Sequence, residues 1–406
     1  FTTLLTHEGN NQISITDQNL NVNSGTISVD NANLLAATTS GTITGSITTT
    51  ETVDELQTLT GTGNAYTIVI ANGDATGSTA SEFTSINGKT TVAVDASAVT
   101  GLASDNISNI KTLLTAGNDT NQYTSDSFSS LATVVVSDGT LSGSDLADSI
   151  DQANTATGDT SAVFTITSAT TINGSEANFT ALLTDETNNQ IDIDSQNLTV
   201  NSGTLTVDNA NLLGATTSGK LTATIATTET VTELATLSAD GGTNDLTIVI
   251  RAADATASTA AQLNTINDAT ALAVNLTNVT ALAGSSLADL GTLATAINAS
   301  QFSNAGGLTT IAVTDTTVDA TTLATRIDSY DSINGGGSTT DMTLASGATI
   351  NVDEGEITHM LADETAGRLT IDDQLITVTN PVSVDTANLL AAVSYTHLTL
   401  PTSDLV

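Results

Sequence analysis

Short runs of alternating hydrophobic and polar residues recur along the chain. They are rich in threonine, valine and isoleucine, and in the first half they read QISI (12–15), TISV (26–29), YTIVI (66–70), TVAVD (91–95), TVVVSD (133–138) and VFTIT (163–167). Alternation with these residue types predicts short β-strands. The predicted strand centres lie near residues 14, 28, 45, 68, 93, 135 and 165, and the series starts again near residue 192.

Segments with hydrophobic residues at helical spacing lie between several of these runs. They predict short helices over residues 52–59, 79–86, 104–116, 144–154 and 174–183. Each segment begins near Ser, Thr, Asp or Asn, whose side-chain oxygens can accept the free N–H groups of a first helical turn. For the last helix, Asn173 and Glu176 have the spacing of a capping box.

A long internal repeat organises the chain. Residues 1–60 align with residues 179–238 at a constant offset, with 42 of the 60 positions identical, and the match continues after a two-residue insertion. A third copy starts near Met360 and runs through SVDTANLLAA. The predicted divisions are therefore a first unit over 1–178, a second over 179–356 and a partial third over 357–392.

Strand spacings of roughly 14 to 30 residues are typical of one coil of a solenoid. We therefore predict a repeat solenoid in which short parallel strands and short helices stack coil on coil. Asp and Asn after the strands, as in VDNAN (29–33), VDASA (94–98) and VSDGT (136–140), are expected to bond to the backbone at tight corners. The alternative is a string of tandem all-β sandwich domains, which also contain regularly spaced strands.

The last 14 residues break the repeat. After SVDTANLLAA the register predicts TTSG-like sequence, but residues 393–406 read VSYTHLTLPTSDLV. The segment SYTHLTLPT resembles translated sequencing-adapter tails, so we expect residues 393–406 to be a non-native tail without function. Phe1 aligns with Phe179 inside a predicted helix, and we therefore interpret the chain as an excerpt of a longer array.

The composition excludes several classes of function and of binding site. The 44 acidic and 6 basic residues give a net charge of −38, which repels phosphate backbones and argues against nucleic-acid binding. The absence of cysteine excludes disulfides, thiolate metal sites and a cysteine nucleophile. No apolar run reaches the ~20 residues that span a bilayer, so no membrane insertion is expected. Aromatics make up only 2% of residues, so the core is expected to consist of Leu, Ile, Val and Ala.

Comparison of the repeat copies argues against the candidate catalytic residues. His7 aligns with Asp185 and Asp363, so a histidine is not required at that position, and the other two histidines are equally isolated. GKT (88–90) is DAT in the second copy and is interpreted as a turn. Two glutamate pairs, Glu51 with Glu55 and Glu229 with Glu233, are duplicated and are interpreted as a solvated helix face. The chain is predicted not to be an enzyme.

Calcium is the one cofactor that the sequence suggests. Carboxylate oxygens are the ligands that calcium takes, and stacked coils can align acidic residues. The candidate ligands are Asp192 and Asp194 in IDIDSQN, with Asp372 and Asp373 in TIDDQ. Ordinary corner and surface roles are the alternative, and no other cofactor is expected.

The segment STASEFTSINGKTTVAVDASAVTGL (78–102) and its partner STAAQLNTINDATALAVNLTNVTAL (258–282) resemble repeats in giant Thr- and Asp-rich cell-surface proteins of marine bacteria and cyanobacteria. The resemblance implies an extracellular or cell-surface location and an adhesin-like, non-enzymatic repeat array. Its partners would be neighbouring repeats of the chain and an extracellular surface or glycan. Two alternatives remain open: a calcium-stiffened export module, and a β-helix carbohydrate-active protein whose active site lies outside this fragment.

Overall fold

The computed structural model describes residues 2–71, 76–166, 171–238, 243–336, 340–371, 373–393 and 398–399. The chain forms two compact units. Unit 1 contains residues 1–202 and 217–219, and unit 2 contains residues 203–216 and 220–406.

Unit 1 alternates short strands with short helices. Its described helices are α1 (Thr2–Gly9), α2 (Val29–Thr38), α3 (Val53–Gln57), α4 (Ala80–Asn87), α5 (Ile107–Gly117), α6 (Gly143–Thr157) and α7 (Glu176–Thr187). Its described strands are β1 (Leu20–Ile27), β2 (Ile43–Ile47), β3 (Ala65–Thr67), β4 (Gly101–Asp105), β5 (Thr133–Val136), β6 (Thr140–Ser142), β7 (Val163–Ile166), β8 (Thr171–Ser175) and β9 (Asn197–Ser202).

The strand pairs of unit 1 are parallel. Three ladders run β1–β2–β3, β4–β5–β7 and β6–β8–β9. In the second ladder Val134 lies opposite Leu102 on one side and Phe164 on the other. Parallel partners need a crossover connection, and the helices supply part of it. Consecutive helices from α3 to α7 pack against one another.

Unit 2 repeats this organisation. Its described helices are α8 (Val207–Thr216), α9 (Val231–Leu234), α10 (Ala260–Asp268), α11 (Leu287–Asn298), α12 (Ala320–Ile333), α13 (Glu354–Thr365) and α14 (Val384–Val393). Its described strands are β10 (Leu221–Thr224), β11 (Asp245–Thr247), β12 (Val274–Asn275), β13 (Ala281–Ser285), β14 (Phe302–Ser303), β15 (Thr310–Val313), β16 (Thr317–Asp319), β17 (Asp341–Leu344), β18 (Thr349–Val352), β19 (Leu369–Thr370), β20 (Leu375–Val378) and β21 (Leu398–Thr399).

The ladders of unit 2 are also parallel. Two of them are four strands wide, β13–β15–β17–β19 and β16–β18–β20–β21, and two shorter ones pair β10 with β11 and β12 with β14. The fold is therefore mixed α/β with many short parallel strands in small sheets. The alternative of tandem all-β sandwiches is wrong, because helices alternate with the strands and sandwiches are built from antiparallel sheets.

The core contains more aromatic side chains than the composition suggests. Leu, Ile, Val and Ala dominate it, as expected. Every aromatic residue that the structure describes is also buried, namely Tyr66, Phe83, Tyr123, Phe128, Phe164, Phe179, Phe302 and Tyr330. The expectation of a core of Leu, Ile, Val and Ala alone is thus wrong. Two of the tyrosines retain a polar partner: Tyr123 donates to the carbonyl of Phe83 at 2.9 Å, and Tyr330 to that of Leu290 at 3.1 Å.

The five predicted helices are confirmed as α3 to α7, and their caps explain where they begin. Thr52 and Thr79 form capping boxes with glutamates three residues later, at the starts of α3 and α4. Ser175 forms the box at the start of α7 with Asn178. The predicted box of Asn173 and Glu176 is wrong, because β8 extends to Ser175 and delays the helix by two residues.

Two strand predictions near the start are wrong. QISI (12–15) is not a strand, and TISV (26–29) spans the end of β1 and the start of α2. VDNAN (29–33) and its copy at 207–211 are first helical turns, not strand corners. In the first copy, Ser28 caps the helix by accepting the amide of Asn31 at 3.2 Å.

The chain turns in the left-handed region at one repeated position. Asn11, Asn189 and Gly367 follow α1, α7 and α13, and their φ angles are 54°, 57° and 69°. Asn and Gly are the residues that adopt this conformation most readily at a helix C-terminus. Each copy of the repeat thus reverses its chain at the same point, and this turn shapes the candidate site.

Only part of the predicted tail is described. Val393 ends α14, and β21 (Leu398–Thr399) pairs in parallel with Ile376 and Thr377 of β20. Residues 394–397 and 400–406 lie outside the described residues. The repeat boundaries and the non-native origin of residues 393–406 stay predictions.

Candidate functional site

Three carboxylates converge at the end of α7. Glu186 lies in the last turn of this helix, and Asp192 and Asp194 follow the turn at Asn189. One oxygen from each of the three side chains lies within 4.8 Å of the others. We call Glu186, Asp192 and Asp194 the acidic cluster. It contains two of the four predicted calcium ligands.

Local packing brings the acidic cluster together. Ile191 and Ile193 are buried, so the alternating Asp192 and Asp194 face solvent. The backbone amide of Ile193 donates to Oε1 of Glu186 at 3.2 Å, which ties the loop to the helix. The amide of Asp194 donates to Oδ1 of Asp192 at 3.0 Å. The chain itself therefore fixes all three acids near one point.

The electrostatics of the acidic cluster favour a bound cation or proton. The pKa of Glu186 is raised, first by burial and then by the charges of Asp194 and Asp192, against the lowering effect of the hydrogen bond from Ile193. Like charges held together resist ionisation, and a divalent cation would relieve this repulsion. Calcium takes six to eight oxygen ligands, so backbone carbonyls and water would have to complete a site built on three carboxylates.

The other copies do not reproduce the acidic cluster. In the first copy Ser14 and Thr16 replace the two aspartates, and their hydroxyls lie 3.2 Å apart in a hydrogen bond. In the third copy Thr370 replaces Asp192, while the predicted ligand Asp372 lies outside the described residues. Asp373 is exposed and accepts a hydrogen bond from the side chain of Gln374 at 2.5 Å.

Sequence reasoning missed Glu186. Its signal was present, because glutamate occupies the equivalent position in all three copies, at 8, 186 and 364. What could not be read from the sequence is that the turn at Asn189 folds the aspartates back against the helix that carries Glu186.

Three other acidic residues cap helices that are distant from them in the sequence. Asp138 accepts the first amide of α5, from Ile107, at 2.7 Å, and Asp315 accepts that of α11, from Leu287, at 2.7 Å. Asp254 does the same for Val231 of α9 at 2.8 Å. Negative charge at a helix N-terminus is stabilising. The predicted corner at VSDGT is thus wrong for Asp138, whereas Asp95 does bond to its own turn.

The duplicated glutamates are also structural. Glu55 and Glu233 are the third residues of capping boxes in α3 and α9. Glu51 lies before α3 and accepts the amide of Val29 at 3.3 Å. The interpretation of these pairs as a solvated helix face is wrong for Glu51 and Glu229, which lie before α3 and α9, whereas Glu55 and Glu233 are exposed as expected.

The remaining sequence candidates are scattered. His7 contacts the side chain of Gln12, and the exposed His359 lies 3.6 Å from Asp363, while His397 is outside the described residues. Gly88 of the GKT segment is the C-cap of α4, in agreement with a turn. No nucleophile, base and acid come together among these described residues.

No protein-family model matches the chain, and no curated protein matches it. Among the described residues, no helix combines the length and the hydrophobicity that a membrane crossing requires.

Proposed function

We propose that each unit is an α/β solenoid, in which successive coils contribute parallel strands and a helix to continuous stacks. The support is a set of hydrogen bonds that link neighbouring coils and recur in both units. Buried Asn64 accepts the amide of Ile43 at 2.9 Å, and its counterpart Asn244 accepts that of Leu221 at 2.8 Å. Side-chain ladders of this kind hold a stack in register, because each coil satisfies the polar backbone of the one before it.

A second pair of asparagines supports the same proposal. Asn33 donates to the carbonyl of Thr58 at 3.0 Å and accepts the amide of Thr60 at 2.7 Å. Its counterpart Asn211 makes the same two bonds, to Thr236 and Ser238, at 2.9 and 2.8 Å. The repeat thus preserves the contacts that join coils.

We propose that the chain is a non-enzymatic structural and adhesive region of a large exported bacterial surface protein, at the cell surface or outside the cell. The observation that carries this proposal is the contrast between what the copies share and what they do not. They share caps and inter-coil bonds, whereas the histidines and the acidic cluster occur in single copies. The acidic, cysteine-free composition fits an exported chain, and neighbouring repeats and an extracellular surface or glycan are its proposed partners.

Display of the whole chain on a bacterium without adhesins of its own tests the proposal. Attachment to glycan-coated surfaces should exceed that of cells displaying an unrelated chain of equal net charge. Equal attachment contradicts the adhesive role. Turnover of anionic polysaccharides by the purified chain would contradict the non-enzymatic role and favour the carbohydrate-active alternative.

The calcium-stiffened export module is the second candidate function. The observation that favours it is the convergence of Glu186, Asp192 and Asp194 within 4.8 Å. Stiffening by calcium predicts a melting temperature that rises with millimolar calcium and falls with chelator.

A further inference from the structure

The two units carry equivalent grooves on their helical faces. In unit 2 a groove of about 610 Å³ lies along α10 and α11 and is lined by Asn267, Asp268, Thr292, Thr295, Gln301 and Arg326 among others. In unit 1 a groove of about 500 Å³ has the equivalent positions Thr112, Thr115 and Gln122 in its wall. The groove is therefore part of the repeated architecture.

The two grooves differ in how their basic residue is neutralised. In unit 1, Lys111 lies 2.7 Å from carboxylate oxygens of both Asp145 and Asp148. In unit 2 the position of Lys111 is Gly291, and Arg326 reaches the groove from α12 instead. The positions of the two aspartates are Thr322 and Thr325. The groove of unit 1 therefore contains a lysine paired with two aspartates, whereas the groove of unit 2 contains an arginine that lacks both of these aspartates.

Arg326 is held in place without a carboxylate. Its Nε donates to the backbone carbonyl of Leu287 at 3.0 Å. A Cβ atom at Gly291 would collide with the guanidinium, so this glycine makes the position possible. Within the part of the chain that the structure describes, no carboxylate oxygen lies within 4.0 Å of the Arg326 guanidinium. The bond through Nε leaves the two terminal nitrogens with donor capacity.

The wall of the second groove offers polar groups for a hydroxyl-rich ligand. Asn264 donates to the carbonyl of Asp289 at 3.1 Å, and its Oδ1 is buried without a hydrogen-bond partner. Asn267 donates to the side chain of Gln301 at 3.3 Å, a long bond that a ligand could replace.

We propose that this groove binds a short acidic saccharide, with the carboxylate of one uronate unit on Arg326 and its hydroxyls on the amides of Asn267 and Gln301. Physiological salt screens the long-range repulsion by the net charge of −38, so that the direct contact with Arg326 determines binding. Arginine is suited to this task because its planar guanidinium matches a carboxylate and is always charged. The inference rests on the proposed adhesive function and deepens it by naming the class of glycan that this groove would take.

Calorimetric titration of the whole chain at physiological salt tests the inference, with a galacturonate trisaccharide as the probe. We expect saturable binding of the trisaccharide and much weaker binding of a neutral galactose trisaccharide and of acetate. Arg326→Gln should weaken binding about ten-fold or more, because hydrogen bonds to charged groups contribute strongly. Lys111→Gln in the other groove is the matched control and should leave the affinity unchanged.

A second variant keeps the arginine and supplies the missing acid. Thr322→Asp gives unit 2 the acid that unit 1 has at the equivalent position, Asp145, and places a carboxylate one helical turn before Arg326. It should weaken binding of the trisaccharide as well. Equal affinity for the neutral sugar or for acetate, no binding of the trisaccharide, or unchanged affinity in both the Arg326→Gln and the Thr322→Asp variants would overturn the inference. Binding that persists while the displayed chain fails to promote attachment would contradict the adhesive function only.

Discussion

A guanidinium nitrogen of Arg368 lies 2.5 Å from a carboxylate oxygen of Asp363, and a second nitrogen lies 3.5 Å from Asp331. The preceding copy has Gln190, Asp185 and Asn154 at these positions. There the amides of Gln190 and Asn154 bond to each other at 2.6 Å. At one equivalent position, the second copy thus contains a hydrogen-bonded pair of amides and the third copy contains an ion pair. In the neutral copy Asp185 is buried, and no described basic residue forms an ion pair with it.

Replacement of Asp185 should stabilise unit 1 at neutral pH. Burial, and secondly the charge of Asp151, raise the pKa of Asp185 to about 6. The folded state therefore binds more protons than the unfolded state between pH ~4 and ~6, and the free energy of unfolding rises as the pH falls through this range. Asp185→Asn should raise the free energy of unfolding at pH 7.5 by up to about 3 kcal/mol, with little gain at pH 4. Urea titrations at the two pH values measure this difference.

Asp151→Asn serves as the control for that prediction. Asp151 is exposed and affects Asp185 only through its charge, which is the smaller cause of the shift. Its stabilising effect at pH 7.5 should therefore be smaller than that of Asp185→Asn. If Asp185→Asn instead lowers the free energy of unfolding at pH 7.5, favourable interactions of the buried carboxylate outweigh its desolvation, and the prediction is wrong.

Removal of Arg368 should destabilise unit 2, because it leaves Asp363 buried without its cation. Breaking a buried pair on one side costs about 3 to 5 kcal/mol. Arg368→Gln should therefore lower the free energy of unfolding by roughly this amount, and adding Asp363→Asn should recover most of it. Chemical denaturation of the two single variants and the double variant measures the coupling. Additive effects of the two substitutions would contradict a direct pairing of these side chains.

The sequence predicted the local elements better than their partners. Five helices were found because each has a polar cap before a hydrophobic face, as Thr79 shows for α4. Strand β1 was placed too late, because most of its residues lie at the surface and the run TISV continues without a break into the first turn of α2. Hydrophobic alternation does not show where β1 ends and α2 begins, because buried Val29 continues the alternation although it is the first residue of the helix.

The hydrogen bonds between residues that are far apart in the sequence could not be predicted from the sequence. Asp138 and Ile107 are 31 positions apart, and nothing in the local pattern distinguishes this aspartate from one that caps its own corner. Glu186 was missed for a related reason, since its neighbours join it only through the turn at Asn189. The sequence indicated that acids follow strands, but the packing of helices that are distant in the sequence determines which amides they meet.

The helix caps supplied by aspartates distant in the sequence can be tested in both units. Asp138→Ala and Asp315→Ala each remove the acceptor for a first helical amide and should cost about 0.5 to 2 kcal/mol. Amide exchange at Ile107 and at Leu287 should accelerate in the respective variant. Exposed Asp126 is the matched control, and Asp126→Ala should leave both amides protected. Unchanged exchange at Ile107 in Asp138→Ala would contradict capping across coils.

The buried asparagines Asn64 and Asn244 test the proposed solenoid. Asn64→Ala leaves the amide of Ile43 without its acceptor in a buried position, which should cost about 1 to 3 kcal/mol. In a solenoid each coil contacts only its neighbours, so loss of exchange protection should centre on β2 and β3 and fade along unit 1. Asn244→Ala should do the same around β10 and β11. Uniform loss of protection throughout unit 1 in Asn64→Ala would contradict the solenoid.

The acidic cluster predicts opposite effects of one substitution with and without calcium. In chelator, Glu186→Gln should raise the melting temperature, because it removes one of three converging negative charges. In millimolar calcium the native chain should gain stability by mass action and the variant should not, since it has lost a ligand. Thermal melts of both proteins in the two conditions provide the four values that the comparison needs.

Asp17→Asn is the control for the calcium experiment. It removes an exposed acid of the first copy, where Ser14 and Thr16 replace the two aspartates of the acidic cluster. Its response to calcium should therefore equal that of the native chain. If calcium stabilises the native chain and Glu186→Gln equally, the ion binds elsewhere on this acidic surface, and the acidic cluster is a solvated end of α7.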